Sequence, residues 1–165
     1  MNYQMSAAER APQPGGVADM PALGAMSSYR LPQPGARPLV FSGSELAMAM
    51  SFTPELPYWY ELNVYRTREQ TFVLAIRQFF QSEEQTDIVK AWAFDSLPDL
   101  FDRLETYDAG ADVRTPHLDL ERSAPAELAA AAMDLKSRVI AARTHFAGLV
   151  GEFFAQIDAA GNGPV

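Results

Sequence analysis

Alternating apolar residues in the middle of the chain constrain the fold more than any other feature of the sequence. Over residues 59–67, and again over 71–80, large apolar side chains recur at every second position. A period of two places successive side chains on opposite faces of a β-strand, so each run predicts a strand. A third run covers 87–94. A weaker alternation over 44–53 predicts one more strand, although its Ala, Glu, Leu and Met residues also form helices well.

Short polar segments separate these runs and indicate how the strands connect. Residues 66–70 and 81–86 consist entirely of Arg, Glu, Gln, Ser and Thr. Because parallel neighbours need a connection of a dozen or more residues, links this short indicate antiparallel hairpins. The sequence therefore predicts an antiparallel meander of three or four strands.

Two helices are predicted to follow the sheet. Ser96 caps the first helix, and Pro98 lies early in it. This helix ends near Gly110 and should cover the sheet with its apolar side. A second helix is predicted over 123–158, before a Gly-Asn-Gly sequence. The predicted fold class is α+β: an antiparallel three- to four-stranded meander, a packing helix and a long C-terminal amphipathic helix.

The second helix carries an apolar seam whose members are three or four residues apart. They are Leu128, Ala132, Leu135, Val139, Ala142, Phe146, Leu149 and Phe153. A helix of this length spans about 50 Å, whereas a compact domain of ~100 residues has a radius of gyration of about 13 Å. Part of the seam should therefore meet a partner or a second copy. The alternative is that Gly148 and Gly151 divide the helix, so that both pieces pack on the sheet.

Composition divides the chain into five segments. Residues 1–38 hold half of the twelve prolines and are expected to form a Pro/Gly-rich arm, disordered alone but able to order on a partner. A domain of β-sheet plus helix is predicted over 39–110, followed by a linker over 111–122. The long helix occupies 123–158, and a tail occupies 159–165.

No pattern typical of catalysis, or of metal or cofactor binding, is readable in the sequence. The chain has no cysteine, which excludes disulfides, thiolate nucleophiles and cysteine-ligated metals. His117 and His145 each lack a second ligand at a metal-type spacing. The acidic residues of 83–87 lie in a polar loop, where water opposes the pKa separation that acid–base pairs need. We therefore predict a non-enzymatic protein with no catalytic residue, no metal site and no cofactor.

Two aromatic residues of the sheet are candidates for partner binding. Trp59 and Tyr65 share the strand face opposite Leu62 and Val64. That face either packs under another element of the same chain or forms an exposed aromatic platform, since Trp and Tyr are enriched at binding hot spots. We predict that Trp59 and Tyr65 bind a partner. The same prediction is made for five seam residues: Leu135, Val139, Phe146, Leu149 and Phe153.

Charge weighs against a nucleic-acid partner. Residues 55–108 carry eleven acidic and five basic side chains, within a chain whose net charge is −8. An acidic surface repels the phosphate backbone. A protein partner or a homo-oligomer is therefore expected.

These observations predict an accessory or adaptor protein that binds a partner protein, or itself, through its C-terminal helix. One alternative is a small-ligand-binding or regulatory domain that uses the adaptable side chains of Met48 and Met50. Another is a single-stranded nucleic-acid binder that stacks bases on the aromatic residues. Since neither a membrane-spanning run nor a secretory signal is readable, no membrane association and a cytoplasmic location are expected.

Overall fold

The computed structural model describes residues 24–161, which form an antiparallel sheet and two α-helices. The strands are β1 (Met26–Leu31), β2 (Leu39–Met50), β3 (Tyr58–Thr67), β4 (Phe72–Phe80) and β5 (Ile88–Phe94). The helices are α1 (Leu97–Thr106) and α2 (Pro125–Gly161), with a 3-10 turn at Ala109–Asp112 between them. The strand order β1-β2-β3-β4-β5 pairs each strand with its neighbour in sequence. The predicted α+β class and antiparallel meander are confirmed.

The sheet has five strands because the segment interpreted as an arm contributes β1. Tyr29 and Leu31 of this strand are buried, at 5% and 0% exposure. Prolines and glycines around the six-residue strand dominate the composition of 1–38 and conceal this short alternation. Residues 1–23 of the predicted arm lie outside the described residues, as do residues 162–165 of the predicted tail.

Both faces of the central strands β3 and β4 are buried. Leu62 and Leu74 are fully buried on one face, while Tyr65 and Val73 are 1% and 2% exposed on the other. The register pairs Tyr65 with Val73 and Val64 with Leu74, so the predicted division of residues between the two faces is confirmed. Side chains on both sides of these strands therefore contribute to the core.

The sheet curls so that its first and last strands approach each other. Cα atoms of β1 and β5 come within 8 Å, although no hydrogen-bonded ladder joins the two strands. On the concave face, Leu31 of β1 and Ala91 of β5 belong to one buried cluster with Tyr65. A bulge in β2 between Glu45 and Ala47 shifts the register and adds local twist. The concave face is therefore a hydrophobic core in its own right.

The chain divides into two compact units between Asp102 and Arg103. The first unit contains the sheet and the start of α1. That start is capped as predicted, since the Asp99 amide donates to Ser96 Oγ at 3.3 Å. Leu100 within this part of α1 is fully buried.

The second unit is dominated by α2, a continuous helix of 37 residues. Gly148 and Gly151 lie within it and do not divide it, and a Cβ at either position would have no atom within 4 Å. The 3-10 turn packs closely against the helix, because a Cβ at Gly110 would lie 2.9 Å from Val139 Cγ1. No helix in residues 24–161 has both the length and the apolar character that a bilayer span requires.

Candidate protein-binding surfaces

Tyr65, one of the two aromatic residues predicted to bind a partner, lies inside the concave core. Its side chain is 1% exposed, and its ring centroid lies 4.6 Å from that of Tyr29 and 5.6 Å from that of Phe41. Burial raises the pKa of the Tyr65 hydroxyl; Arg77 opposes this shift, whereas the Glu45 carboxylate adds to it. The hydroxyl is therefore neutral at physiological pH, and the side chain serves the packing of the sheet.

Trp59, the other predicted aromatic contact, lies at an open end of the same face. Its ring stacks on Phe79 with centroids 5.3 Å apart and meets Phe52 edge-on at 5.8 Å. Phe52 is 59% exposed, and Met50 and Met48 are 48% and 37% exposed. We call Met48, Met50, Phe52 and Trp59 the β2-edge patch. A cluster of large apolar side chains left partly in water is typical of an interaction surface.

A buried polar cluster lies beside the β2-edge patch on the concave face. Arg77 is 3% exposed, and its Nε lies 4.0 Å from Glu61 Oε1. Asn63, at 4% exposure, donates from Nδ2 to Glu45 Oε1 at 2.7 Å. A one-residue slip of any of these strands would turn a charged group to the opposite face. The cluster therefore favours the observed strand register over a slipped one.

Sequence reasoning did not single out this cluster. Arg77 interrupts the apolar run of β4, and a charge inside a strand buried on both faces was the available signal. Its partner Glu61 lies directly opposite, which only the hairpin register reveals. Across the described part of the chain, no three carboxylates or imidazoles converge to hold a metal ion.

Five seam residues were predicted to bind a partner, and all five lie on one side of α2. Their burial increases toward the C-terminal end of the helix. These residues are Leu135, Val139, Phe146, Leu149 and Phe153. The first two are half-buried, and the last three are 4%, 2% and 1% exposed. The ring of Phe146 lies 5.0 Å from that of Tyr107. In this conformation the three C-terminal members offer almost no surface to a partner.

The opposite side of α2 presents a second seam, which is exposed. Met133 and Ala142 are nine residues apart, or about two and a half turns, so they point in opposite directions. Met133 is 74% exposed and Ala142 is 1% exposed. Exposed residues continue in both directions from Met133 at alternating steps of three and four. This exposed face of α2 consists of Ala126, Ala130, Met133, Ser137, Ile140, Thr144, Ala147 and Gly151.

The composition of the exposed face of α2 is unusual for a helix surface in water. None of its eight residues is charged, although the outward side of a surface helix normally is. Six are Ala, Gly, Ser or Thr, which allow a second helix to approach closely. Met133 and Ile140, at 74% and 53% exposure, add apolar contact area. Sequence reasoning missed this face because the bulky opposite seam dominates the periodicity.

The second unit also contains a cleft of about 360 Å³ beside α2, with Phe146 and Val150 in its wall. At its rim, Arg143 donates from Nε and Nη2 to the two Asp108 carboxylate oxygens at 2.8 and 2.7 Å. These bonds, and one from the Gly110 amide, lower the pKa of Asp108 to about 2. Arg143 and Asp108 already neutralise each other, and Glu105 also lines the cleft, so the cleft offers no unpaired positive charge to an anionic ligand.

Comparison with known proteins adds no relative. The sequence matches no family model, and neither the curated proteins nor the solved structures contain a match.

Proposed function

We propose that this chain is a non-enzymatic accessory or adaptor protein that binds a helix of a partner protein through the exposed face of α2. One observation carries the proposal: α2 has two uncharged sides, and only one is buried. Leu149 and Phe153 already provide a buried side that attaches the helix to its own chain. One apolar side is enough for a helix to fold onto a domain. The uncharged second side is therefore available for another molecule.

The chemistry of the exposed face favours a helical partner. Its residues follow the alternating three- and four-residue spacing at which two helices interlock side chains. It extends from Ala126 to Gly151, about 38 Å at ~1.5 Å per residue. Small side chains along this length leave grooves that bulky apolar residues of a partner would fill, while Met133 and Ile140 would fill grooves on the partner.

Site-specific photo-crosslinking in the source cells tests the proposal. The full chain would carry a photoreactive residue in place of Ile140, and a second version would carry it in place of Glu152. Glu152 lies on α2 but outside the exposed face. We expect a discrete product of higher mass from the Ile140 probe and no such product from the Glu152 probe.

Two further substitutions establish whether that product depends on the exposed face. Ser137→Glu places a carboxylate within one turn of Ile140, and Ala130→Glu places one within one turn of Met133. Burying an unpaired charge in the contact should weaken binding at least about tenfold. The product should disappear in both variants while the circular dichroism of the chain is unchanged. Equal products from the two probes, or a product that persists in both glutamate variants, would contradict the proposal.

A further inference from the structure

Five residues of β2 form an edge that no strand occupies within residues 24–161. β1 pairs with Leu39–Ser44 only, and its last rung is extended by one bond, from the Gly24 amide to the Glu45 carbonyl at 3.0 Å. Gly24 has a φ of 89°, outside the extended region, and β1 itself begins at Met26. On its other side, β2 remains paired with β3 as far as Met50. Among the residues that the structure describes, no strand pairs with the outer edge of residues 46–50, which we call the open edge.

The main-chain groups on this edge are oriented for another strand. The Ser51 amide donates to the Tyr60 carbonyl at 3.0 Å, and the Tyr60 amide donates to Ser51 Oγ at 2.9 Å, so the Ser51 amide faces β3. In an antiparallel ladder, alternate residues direct their N–H and C=O groups to opposite sides. The amide and carbonyl groups of Met48 and Met50 consequently point away from β3.

Apart from the bulge at its Leu46 end, the open edge lacks the features that normally prevent strand addition. Residues 46–53 contain no charged side chain and no proline. Leu46, Met48, Met50 and Phe52 are 45%, 37%, 48% and 59% exposed. Natural sheets protect free edges with Lys, Pro or a covering element, because an exposed apolar edge pairs readily with another strand. This edge is therefore suited to pairing.

The sequence of the edge fits a second copy of itself. Around Met48, Leu-Ala-Met-Ala-Met is nearly the same in both directions. In antiparallel pairing about a two-fold axis at Met48, Ala47 faces Ala49 of the other copy and Leu46 faces Met50. Two copies that each carry a net charge of −8 repel each other. Contact through an uncharged window keeps that repulsion smallest, because no like charges lie directly opposite.

We propose that two copies of this chain pair edge to edge through Leu46–Met50 of β2, about a two-fold axis at Met48, and so join their sheets into one. The two Met48 residues exchange reciprocal amide-to-carbonyl bonds, and every contact occurs twice. Phe52 and Trp59 lie beside the two paired β2 strands. The contact is at the small end of protein interfaces, so the dimer should dissociate at low micromolar concentration. Each dimer would carry two exposed faces of α2.

The mass of the full chain, measured by light scattering from low micromolar to submillimolar concentration, tests the proposal. We expect a reversible monomer–dimer equilibrium that salt strengthens, since salt screens the repulsion between acidic copies. Met48→Lys should weaken dimerisation at least about tenfold, because it sets two like charges face to face. Met133→Lys, the same change at an exposed methionine of α2, should leave the equilibrium unchanged.

A crosslink provides a second, independent measurement. The chain has no cysteine, so Met48→Cys introduces the only thiol in each copy. Hydrogen-bonded antiparallel partners have Cα atoms about 5.5 Å apart, a separation that a disulfide spans. Mild oxidation should convert the Met48→Cys chain to a covalent dimer, whereas Met133→Cys should remain monomeric. This crosslink does not involve the exposed face of α2, so its failure and that of the proposed partner binding are distinguishable.

Three results would overturn the proposal. One is a full chain that stays monomeric at submillimolar concentration. Another is a dimer that Met133→Lys disrupts and Met48→Lys does not, since this would place the contact on α2. The third is a Met48→Cys chain that crosslinks no faster than the Met133→Cys chain.

Discussion

The central strands of the sheet and the long helix α2 use their apolar residues differently. β3 and β4 are buried on both faces: Leu74 is 0% exposed on one and Tyr65 is 1% exposed on the other. α2 is buried on one side only, with Leu149 at 2% exposure and Met133 at 74%. Both faces of these strands are thus buried within the chain, whereas one side of the helix remains exposed.

This difference indicates where binding can be altered without loss of folding. A side chain that is buried on either face of a central strand contributes to unfolding free energy, so its replacement weakens the fold. On α2, only one side has that role. The following four predictions test this contrast, from the largest expected effect to the smallest.

The two faces of the sheet should be equally sensitive to truncation. Tyr65→Ala on the concave face should lower the unfolding free energy by about 3–5 kcal/mol, and Leu74→Ala on the other face by about 2–5 kcal/mol, because each leaves a cavity in a packed core. Urea denaturation followed by circular dichroism measures both. If one substitution cost less than about 1 kcal/mol, that face would not be part of the core.

The two sides of α2 should differ in their sensitivity. Leu149→Ala should cost about 2–5 kcal/mol, since it empties a buried site. Met133→Ala should change the unfolding free energy by less than about 0.5 kcal/mol, because its side chain is already in water and alanine is a good helix former. The same urea titration compares them, and equal losses would show that α2 is covered on both sides.

Glycine-to-alanine substitutions should change the unfolding free energy in opposite directions in the sheet and in α2. At Gly43 in β2, a Cβ would lie 2.5 Å from the Arg66 carbonyl oxygen, a backbone atom that cannot move aside. Gly43→Ala should therefore cost about 1–3 kcal/mol. At Gly148 in α2 a Cβ meets nothing, so Gly148→Ala should stabilise the chain by about 0.5–1 kcal/mol. In thermal unfolding, Gly43→Ala should lower the melting temperature and Gly148→Ala should raise it. Shifts of both melting temperatures in the same direction would contradict this prediction.

The smallest expected effect concerns the ion pair between Asp108, which precedes the 3-10 turn, and Arg143 of α2. Asp108 has a lowered pKa of about 2 because it accepts hydrogen bonds from Arg143 and the Gly110 amide. A carboxylate with a lowered pKa stabilises the fold above its unfolded pKa, and this contribution is lost as the pH falls toward 2. Arg143→Gln should raise the pKa of Asp108 from about 2 toward 3.8, while the Gly110 amide still keeps it below that value, as an NMR titration of the Asp108 carboxyl carbon would show. An unchanged titration would mean that the pair does not form in solution.

Periodicity predicted most of the fold and little of the candidate surfaces. The alternation in β3 and β4 was readable because large apolar residues dominate both faces. β1 was missed because only Tyr29 and Leu31 mark it, within a segment rich in proline and glycine. The bulky seam of α2 was found from its spacing, whereas the exposed face was not, because alanine and serine carry weak hydrophobic signals. The pairing of Arg77 with Glu61 depends on the register of β3 and β4. That register follows from the turn geometry as well as the loop length, and the loop length alone was readable from the sequence.

The order of the strands also bears on how an assembly could form during synthesis. Each strand pairs with the strand made just before it, so the sheet contains only local connections and needs no later segment to complete its ladders. β5 ends at Phe94, whereas α2 begins at Pro125, so the whole sheet is made before the helix. Because chains fold from their N-terminus as they are translated, the open edge of β2 would form earlier than the exposed face of α2. The pairing through β2 proposed above would therefore be open to neighbouring nascent chains on one messenger RNA before either has made α2.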